Sequence, residues 1–97
     1  MAETIDELTI NYEEDGKVLR RELAKEVLSK GSWTTIMYLY QDLDRKTGDF
    51  GPPRISIRRY QKREGSYLPR SKFEISSSAQ AWAICRKIQE WLPEAGG

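Results

Sequence analysis

The chain has 97 residues and a formal net charge of +1 at pH 7, which fits one folded domain spanning residues 1–97. It contains no histidine, and this excludes His-based acid–base pairs, Ser-His-Asp and Cys-His triads, and Cys/His zinc sites. The lone Cys85 forms no intramolecular disulfide, and the longest apolar run, 36–40, is far shorter than the roughly 20 residues of a membrane helix. We therefore expect a cytoplasmic protein that is not an enzyme and has no metal, no cofactor and no membrane contact.

The first part of the chain predicts two strands joined by a turn. Residues 8–12 alternate between apolar and polar types, which indicates a short half-buried strand after an acidic end, 1–7, that is expected to fray. The pair Asp15-Gly16 predicts a tight reversal. Residues 18–28 fit a helix ended by Gly31, and they also fit a strand. The preceding turn and the strand that follows favour the strand.

Three further strands are predicted along the middle of the chain. Residues 33–41 are rich in aromatic and β-branched side chains, and a polar loop follows over 42–53. A second strand covers 54–61. A charged loop with one glycine and one proline covers 62–72, and it leads to a short strand around 73–75.

The strand at 54–61 has two unlike sides. Because side chains alternate along a strand, Ile55 and Ile57 lie on one side, which continues to Arg59. The other side carries Arg54, Ser56, Arg58 and Tyr60. This pattern predicts that the isoleucines face the core and that the basic side, with its aromatic end, is exposed.

A helix is predicted at the C-terminal end. Ser77 and Gln80 fit a capping box, and the helix is expected to run to about Trp91, before a frayed end at 93–97. Its apolar stripe consists of Ala81, Ile84, Cys85, Ile88 and Trp91. Cys85 is expected to be a buried structural residue. Because one small sheet cannot cover the whole stripe, we expect a symmetric homodimer with the helices near its axis.

The elements together predict an α+β fold, in which a curved antiparallel sheet of four to five strands precedes one amphipathic helix. Its charges are unevenly distributed. Residues 1–16 contain only acids among their charged residues, namely Glu3, Asp6, Glu7, Glu13, Glu14 and Asp15. Residues 54–72 contain one acid, Glu64, and the bases Arg54, Arg58, Arg59, Lys62, Arg63, Arg70 and Lys72.

A basic stretch with interleaved tyrosines is typical of a protein that binds a phosphate backbone. A sheet face with arginine and tyrosine suits single strands, whose bases are free to stack. The candidate nucleic-acid-binding residues are Arg54, Arg58, Tyr60, Lys62, Arg70 and Lys72. The alternative is a solvated surface whose charge is balanced by the acidic N-terminus. Separately, the N-terminus either lies across the basic sheet and competes with nucleic acid as an electrostatic mimic, or forms a first strand with a frayed end.

Four consecutive segments carry a resemblance to a known family: the stretch Ile55-Ser56-Ile57-Arg58-Arg59-Tyr60, the basic loop after it, the strand Phe73-Glu74-Ile75-Ser76 and the final helix. Together they resemble the positive-cofactor-four family of transcriptional coactivators and its bacterial single-stranded DNA-binding relatives. The run Leu19-Arg20-Arg21-Glu22-Leu23 resembles the second strand of the bacterial members. The chain departs from the family at Gln61, where an aromatic residue is common.

This resemblance implies dimerisation through the helices and nucleic-acid binding on the sheet. It places Arg58 on the family's strand arginine, and Arg70 and Lys72 in its basic loop. The leading hypothesis is a non-enzymatic protein that binds single-stranded nucleic acid, DNA in particular, with little sequence preference. The alternative is a protein-interaction or structural module that uses the same sheet face.

Overall fold

An antiparallel sheet of five strands forms most of the computed structural model, which describes residues 2–94, and one helix follows the sheet. The elements are β1 (Tyr12–Glu14), β2 (Lys17–Ser29), β3 (Trp33–Asp42), β4 (Arg54–Arg63), β5 (Ser66–Ile75) and α1 (Ser78–Trp91). The strands lie side by side in chain order, and the sheet curls into a half-barrel. The predicted α+β fold is confirmed, with five strands.

The ambiguous segment at 18–28 belongs to a strand, as the neighbouring elements indicated. β2 runs for 13 residues and pairs with β3 along most of its length. The β1–β2 turn is Asp15-Gly16, and both residues have positive φ, 52° and 77°. Such a turn matches the twist of the flanking strands, so the predicted reversal is confirmed.

The charged loop predicted at 62–72 is wrong, because most of this segment belongs to β5. The connection between β4 and β5 is the two-residue turn Glu64-Gly65, with φ of 50° and 80°. β5 contains Pro69, which lacks an N–H and is tolerated here because β5 is an edge strand. Pairing shifts register after Arg59 and leaves Arg70 in a bulge.

The side of the sheet that forms the core is here called the inner face. Along β3, the buried residues Thr34, Ile36, Tyr38 and Tyr40 alternate with half-buried neighbours. In the β3–β4 register, Thr34 lies opposite Tyr60, and Tyr38 lies opposite Ser56. Tyr60 and Ser56 therefore lie on the inner face, and both are buried.

The N-terminal segment 2–10 covers the inner face. Leu8 and Ile10 are only 7% and 3% exposed and join the tyrosines in one cluster. The strand predicted at 8–12 is wrong for residues 8–11, which lie in neither helix nor strand, although their apolar side chains are buried. Residues 2–7, expected to fray, contain a 3-10 turn at Ile5–Glu7 and a bond of 2.8 Å from the N–H of Tyr67 to the carbonyl of Ala2.

The predicted orientation of β4 is inverted. Ile55 and Ile57 lie on the opposite side of the sheet, here called the outer face, where they are half-buried. The reason is volume: Tyr38, Tyr40 and Tyr60 fill the curled side, and residues 2–10 close it. Side chains alternate along β4 as predicted. The side that forms the core is the opposite of the predicted one, because the distant N-terminal segment covers it.

α1 begins where the sequence predicted. The Ser77 hydroxyl accepts a bond of 3.1 Å from the backbone N–H of Gln80, and the Gln80 side chain accepts one of 2.9 Å from the N–H of Ser76. No residue of α1 is buried, and Cys85, expected in the core, is exposed. The predicted fraying of residues 95–97 falls outside the described residues. Within 2–94, no helix has the length and apolar character needed to cross a membrane.

Candidate nucleic-acid interface

The β4–β5 hairpin, residues 54–75, carries most of the predicted site and is here called the basic hairpin. Four of the predicted side chains are exposed on it: Arg54, Lys62, Arg70 and Lys72. No carboxylate within residues 2–94 forms a salt bridge with any of them. The hairpin therefore presents cationic groups whose charge is not neutralised by contact with the described part of the chain.

These four cationic side chains lie at different places on the hairpin and do not form one patch. Lys72 lies opposite Arg58 in the ladder, so the two share the inner-face side with Arg54. The Lys62 ammonium lies 5.5 Å from the ring centre of Tyr67 near the turn. Arg70, in the bulge, donates from Nε to the side-chain oxygen of Gln61 at 3.0 Å. The bulge thus separates Arg70 from the inner-face group.

Tyr60 does not have the exposure that was predicted for it. Its side chain is 5% exposed, and its hydroxyl lies 3.0 Å from the hydroxyl of Tyr38. Burial is the main cause that raises the pKa of Tyr38, and the hydrogen bond to Tyr60 is the second cause. A side chain held in this way is part of the core, so the prediction that Tyr60 is free to stack a base is wrong.

Arg58 is also less exposed than predicted, because it belongs to an ion-pair cluster. Its guanidinium donates from Nη2 to Glu74 Oε2 at 3.0 Å, and from Nε to the Ser56 hydroxyl at 3.3 Å. Only 21% of the side chain is exposed. Arg58 therefore already has an anionic partner in the folded chain.

Arg20 completes this cluster, although it is not among the site residues predicted from the sequence. It forms a two-point ion pair with Asp42, at 2.6 and 3.2 Å, and its Nη1 lies 2.9 Å from Glu74 Oε2. The hydrogen bonds that Arg20 donates to Asp42 raise the pKa of the Arg20 guanidinium. Partial burial opposes ionisation of Glu74, but the charge of Arg20 and the bonds from both arginines outweigh it and lower the pKa of Glu74.

A polar cavity of about 320 Å³ adjoins the cluster. Arg20, Arg58 and the chain at 9–12 line it. Arg20 and Glu74 are 54 positions apart, so only the order of the strands brings them together. In the sequence, Arg20 lies in the segment 18–28, which fitted both helix and strand, and no local pattern indicated that it would meet Glu74.

Exposed aromatic rings lie on the outer face, where the sequence predicted core. Trp33 is 41% exposed, and the Arg59 guanidinium lies over its ring at 4.6 Å. Phe73, opposite Ile57 in the ladder, is 49% exposed. An aromatic ring beside a cation is the combination that binds an unstacked base and its phosphate.

A second, mainly apolar cleft of about 470 Å³ separates α1 from the outer face. Leu39, Ile55 and Pro53 form one wall, and Ala81 and Trp82 form the other. Along α1, the side chains of Trp82, Ile88 and Trp91 are 63%, 52% and 72% exposed. The helix thus leaves much of its apolar surface uncovered.

Within residues 2–94, no group of three or more cysteine, aspartate and glutamate side chains is arranged to hold a metal ion. Comparison of the chain with protein-family models, with curated proteins and with solved structures gives no match.

Proposed function

We propose that this protein binds single-stranded nucleic acid, DNA in particular, with little sequence preference and without catalysis. The observation that carries the proposal is the basic hairpin, where Arg54, Lys62, Arg70 and Lys72 are exposed and have no carboxylate partner among the described residues. Cations of this kind attract phosphates and release condensed counterions on binding. Affinity then follows the backbone charge and is largely independent of base sequence.

Because Tyr60 is buried, the aromatic rings proposed to stack bases are those on the outer face. Trp33 lies opposite Gln61 in the ladder, close to the end of the hairpin, and Arg59 covers one side of its ring. Phe73 offers a second exposed ring on β5. Flexible single strands are able to place bases on such rings while their phosphates contact the neighbouring arginines, whereas a duplex keeps its bases stacked.

The proposal includes a homodimer formed through α1. Trp82, Ile88 and Trp91 are mostly exposed in one chain, and large contiguous apolar surfaces are typical of interfaces. In a two-fold arrangement with antiparallel helices, the C-terminal half of one α1 would lie beside the N-terminal half of the other, where the apolar cleft opens. A cytoplasmic location is part of the same proposal.

Fluorescence anisotropy with labelled single-stranded and double-stranded oligonucleotides of equal length tests the function. We expect the single strand to bind more tightly, with log affinity falling by about 0.7 per contacted phosphate against log salt. The double variant R54A/K72A should weaken binding and flatten this slope. The control K30A/K46A removes two charges from exposed lysines elsewhere and should change little.

Two results would contradict the proposal. One is the absence of binding to either oligonucleotide at low salt. The other is an equal loss of affinity in R54A/K72A and in K30A/K46A, since that would make binding a general effect of net charge. The exposed apolar surface on α1 would then favour the alternative function, a module that binds another protein chain.

A further inference from the structure

Two arginines from different strands direct one amino group each at the same oxygen atom. Arg20 Nη1 lies 2.9 Å from Glu74 Oε2, and Arg58 Nη2 lies 3.0 Å from it. Glu74 stands on β5, Arg58 on β4 and Arg20 on β2. A single acceptor oxygen between two guanidinium groups is the arrangement that arginines also adopt around a phosphate.

Each arginine has a second partner that holds it in place independently of Glu74. Asp42 binds Arg20 at two points, and the Tyr40 ring lies 4.5 Å from its guanidinium carbon. The Ser56 hydroxyl accepts from Arg58 Nε. If the Glu74 carboxylate moves away, the two amino groups therefore remain directed at the same point.

We propose that Glu74 occupies a phosphate site formed by Arg20 and Arg58, and that a phosphate of bound single-stranded nucleic acid displaces it. The inference rests on the proposed function. Glu74 has 32% of its side chain exposed on an edge strand, so it has room to turn toward solvent. Lys72 is exposed and lies opposite Arg58 in the ladder, and its charge also acts on Glu74.

The charges of the cluster support this exchange. Arg20 and Arg58 are balanced by Asp42 and Glu74, so the closed cluster is formally neutral. Once Glu74 leaves, one positive charge is uncompensated beside a polar cavity of about 320 Å³. A phosphodiester carries the single negative charge that restores neutrality. Glu74 thus acts as an internal competitor that weakens binding until a phosphate replaces it.

The variant Glu74→Gln tests the inference, because it keeps the shape of the side chain and removes its charge. We expect its affinity for a single-stranded oligonucleotide to rise roughly tenfold at low salt, with the slope against log salt unchanged, because the complex of the unmodified protein already contains the same phosphate contact. The matched control is Glu64→Gln, which removes one charge from the turn of the same hairpin without freeing an arginine. It should change affinity less than about twofold. Circular dichroism verifies that both variants are folded.

An equal gain in E74Q and E64Q would overturn the inference, because net charge alone would explain it. So would a gain in E74Q that survives the added substitution Arg20→Ala. Thermal unfolding with inorganic pyrophosphate separates the two proposals. If no variant binds oligonucleotide but pyrophosphate stabilises E74Q more than E64Q, the proposed function is wrong and the phosphate site takes a free ligand. If pyrophosphate and oligonucleotide both fail to distinguish E74Q from E64Q, the phosphate site itself is refuted.

Discussion

The hydroxyl oxygens of Tyr38 and Tyr60 lie 3.0 Å apart on the inner face, beneath the N-terminal segment 2–10. Each hydroxyl supplies the hydrogen-bonding partner that the other needs in a buried position. This pair ties β3 to β4 through side chains as well as through the ladder. A tyrosine that the sequence placed at a binding surface is thus a structural element of the core.

Removal of the Tyr60 hydroxyl by Tyr60→Phe should destabilise the fold without weakening nucleic-acid binding. The Tyr38 hydroxyl would lose its partner in a buried position, and such a loss costs about 1–3 kcal/mol. Urea unfolding measures the change, and oligonucleotide titration provides the second readout. Loss of affinity in a variant of unchanged stability would instead mean that Tyr60 contacts the ligand.

Replacement of Trp33 by alanine should lower oligonucleotide affinity by about 1–3 kcal/mol, because one stacking platform is removed. The slope against salt should stay the same, since no phosphate contact is lost. Leu28→Ala is a suitable control, because Leu28 is a large apolar side chain that is exposed on β2, outside the basic hairpin. Similar effects of the two substitutions would rule out a specific stacking role for Trp33.

Ile88→Glu should separate the dimer, because it places a charge on the apolar stripe of α1. Sedimentation should then give a mass near the 11.3 kDa of one chain, whereas the unmodified protein should sediment as a dimer at tens of micromolar. Gln89→Glu adds the same charge at a neighbouring helix position and should leave the dimer intact. A monomer before any substitution would contradict the proposed assembly.

Acidification should destabilise the folded chain, in part through Glu74. Its pKa in the folded state is below its ordinary value of 4.5, so the carboxylate contributes stability above that value. This contribution is lost as the pH falls through the lower, folded-state pKa. Unfolding by urea at a series of pH values from 6 to 3 should show the loss, and E74Q should show a smaller one. An identical dependence of stability on pH in both proteins would exclude Glu74 as a cause of the loss of stability in acid.

Ile10→Ala should cost about 2–5 kcal/mol of stability, because it truncates a side chain that lies in the cluster with the inner-face tyrosines. Leu23→Ala is the control, since Leu23 is 45% exposed on β2. Thermal or urea unfolding compares the two. Equal and small effects would show that the N-terminal segment does not hold the inner face closed in solution.

Local signals in the sequence were sufficient for most of the fold. Three such signals each determine structure over a few neighbouring residues: the turn residues Asp15-Gly16, the β-rich composition of 33–41 and the cap at Ser77. The turn, the strand and the helix start that they indicate were predicted correctly. The failure at 62–72 has a local cause as well. Pro69 indicated a loop, but an edge strand accommodates a proline whose missing N–H no neighbouring strand requires.

The candidate site could be predicted only in part, because it depends on contacts between distant segments. The alternation in β4 separated Arg58 from Ile57 correctly, yet it could not show which side residues 2–10 would cover. Nor could spacing along the chain show that Arg20 and Glu74 meet. The exposure of a binding residue is decided by the element packed over it, and periodicity within one strand carries no information about that element.

The irregular edge of β5 has a consequence for association between chains. Pro69 offers no donor, Arg70 lies in a bulge, and Ala2 pairs with Tyr67 farther along the strand. Another sheet that approaches this edge meets an interrupted row of donors and acceptors, flanked by the positive charge of Lys72. Sheet extension from one molecule to the next is thereby hindered, and a concentrated solution of the protein should resist fibril growth along this edge.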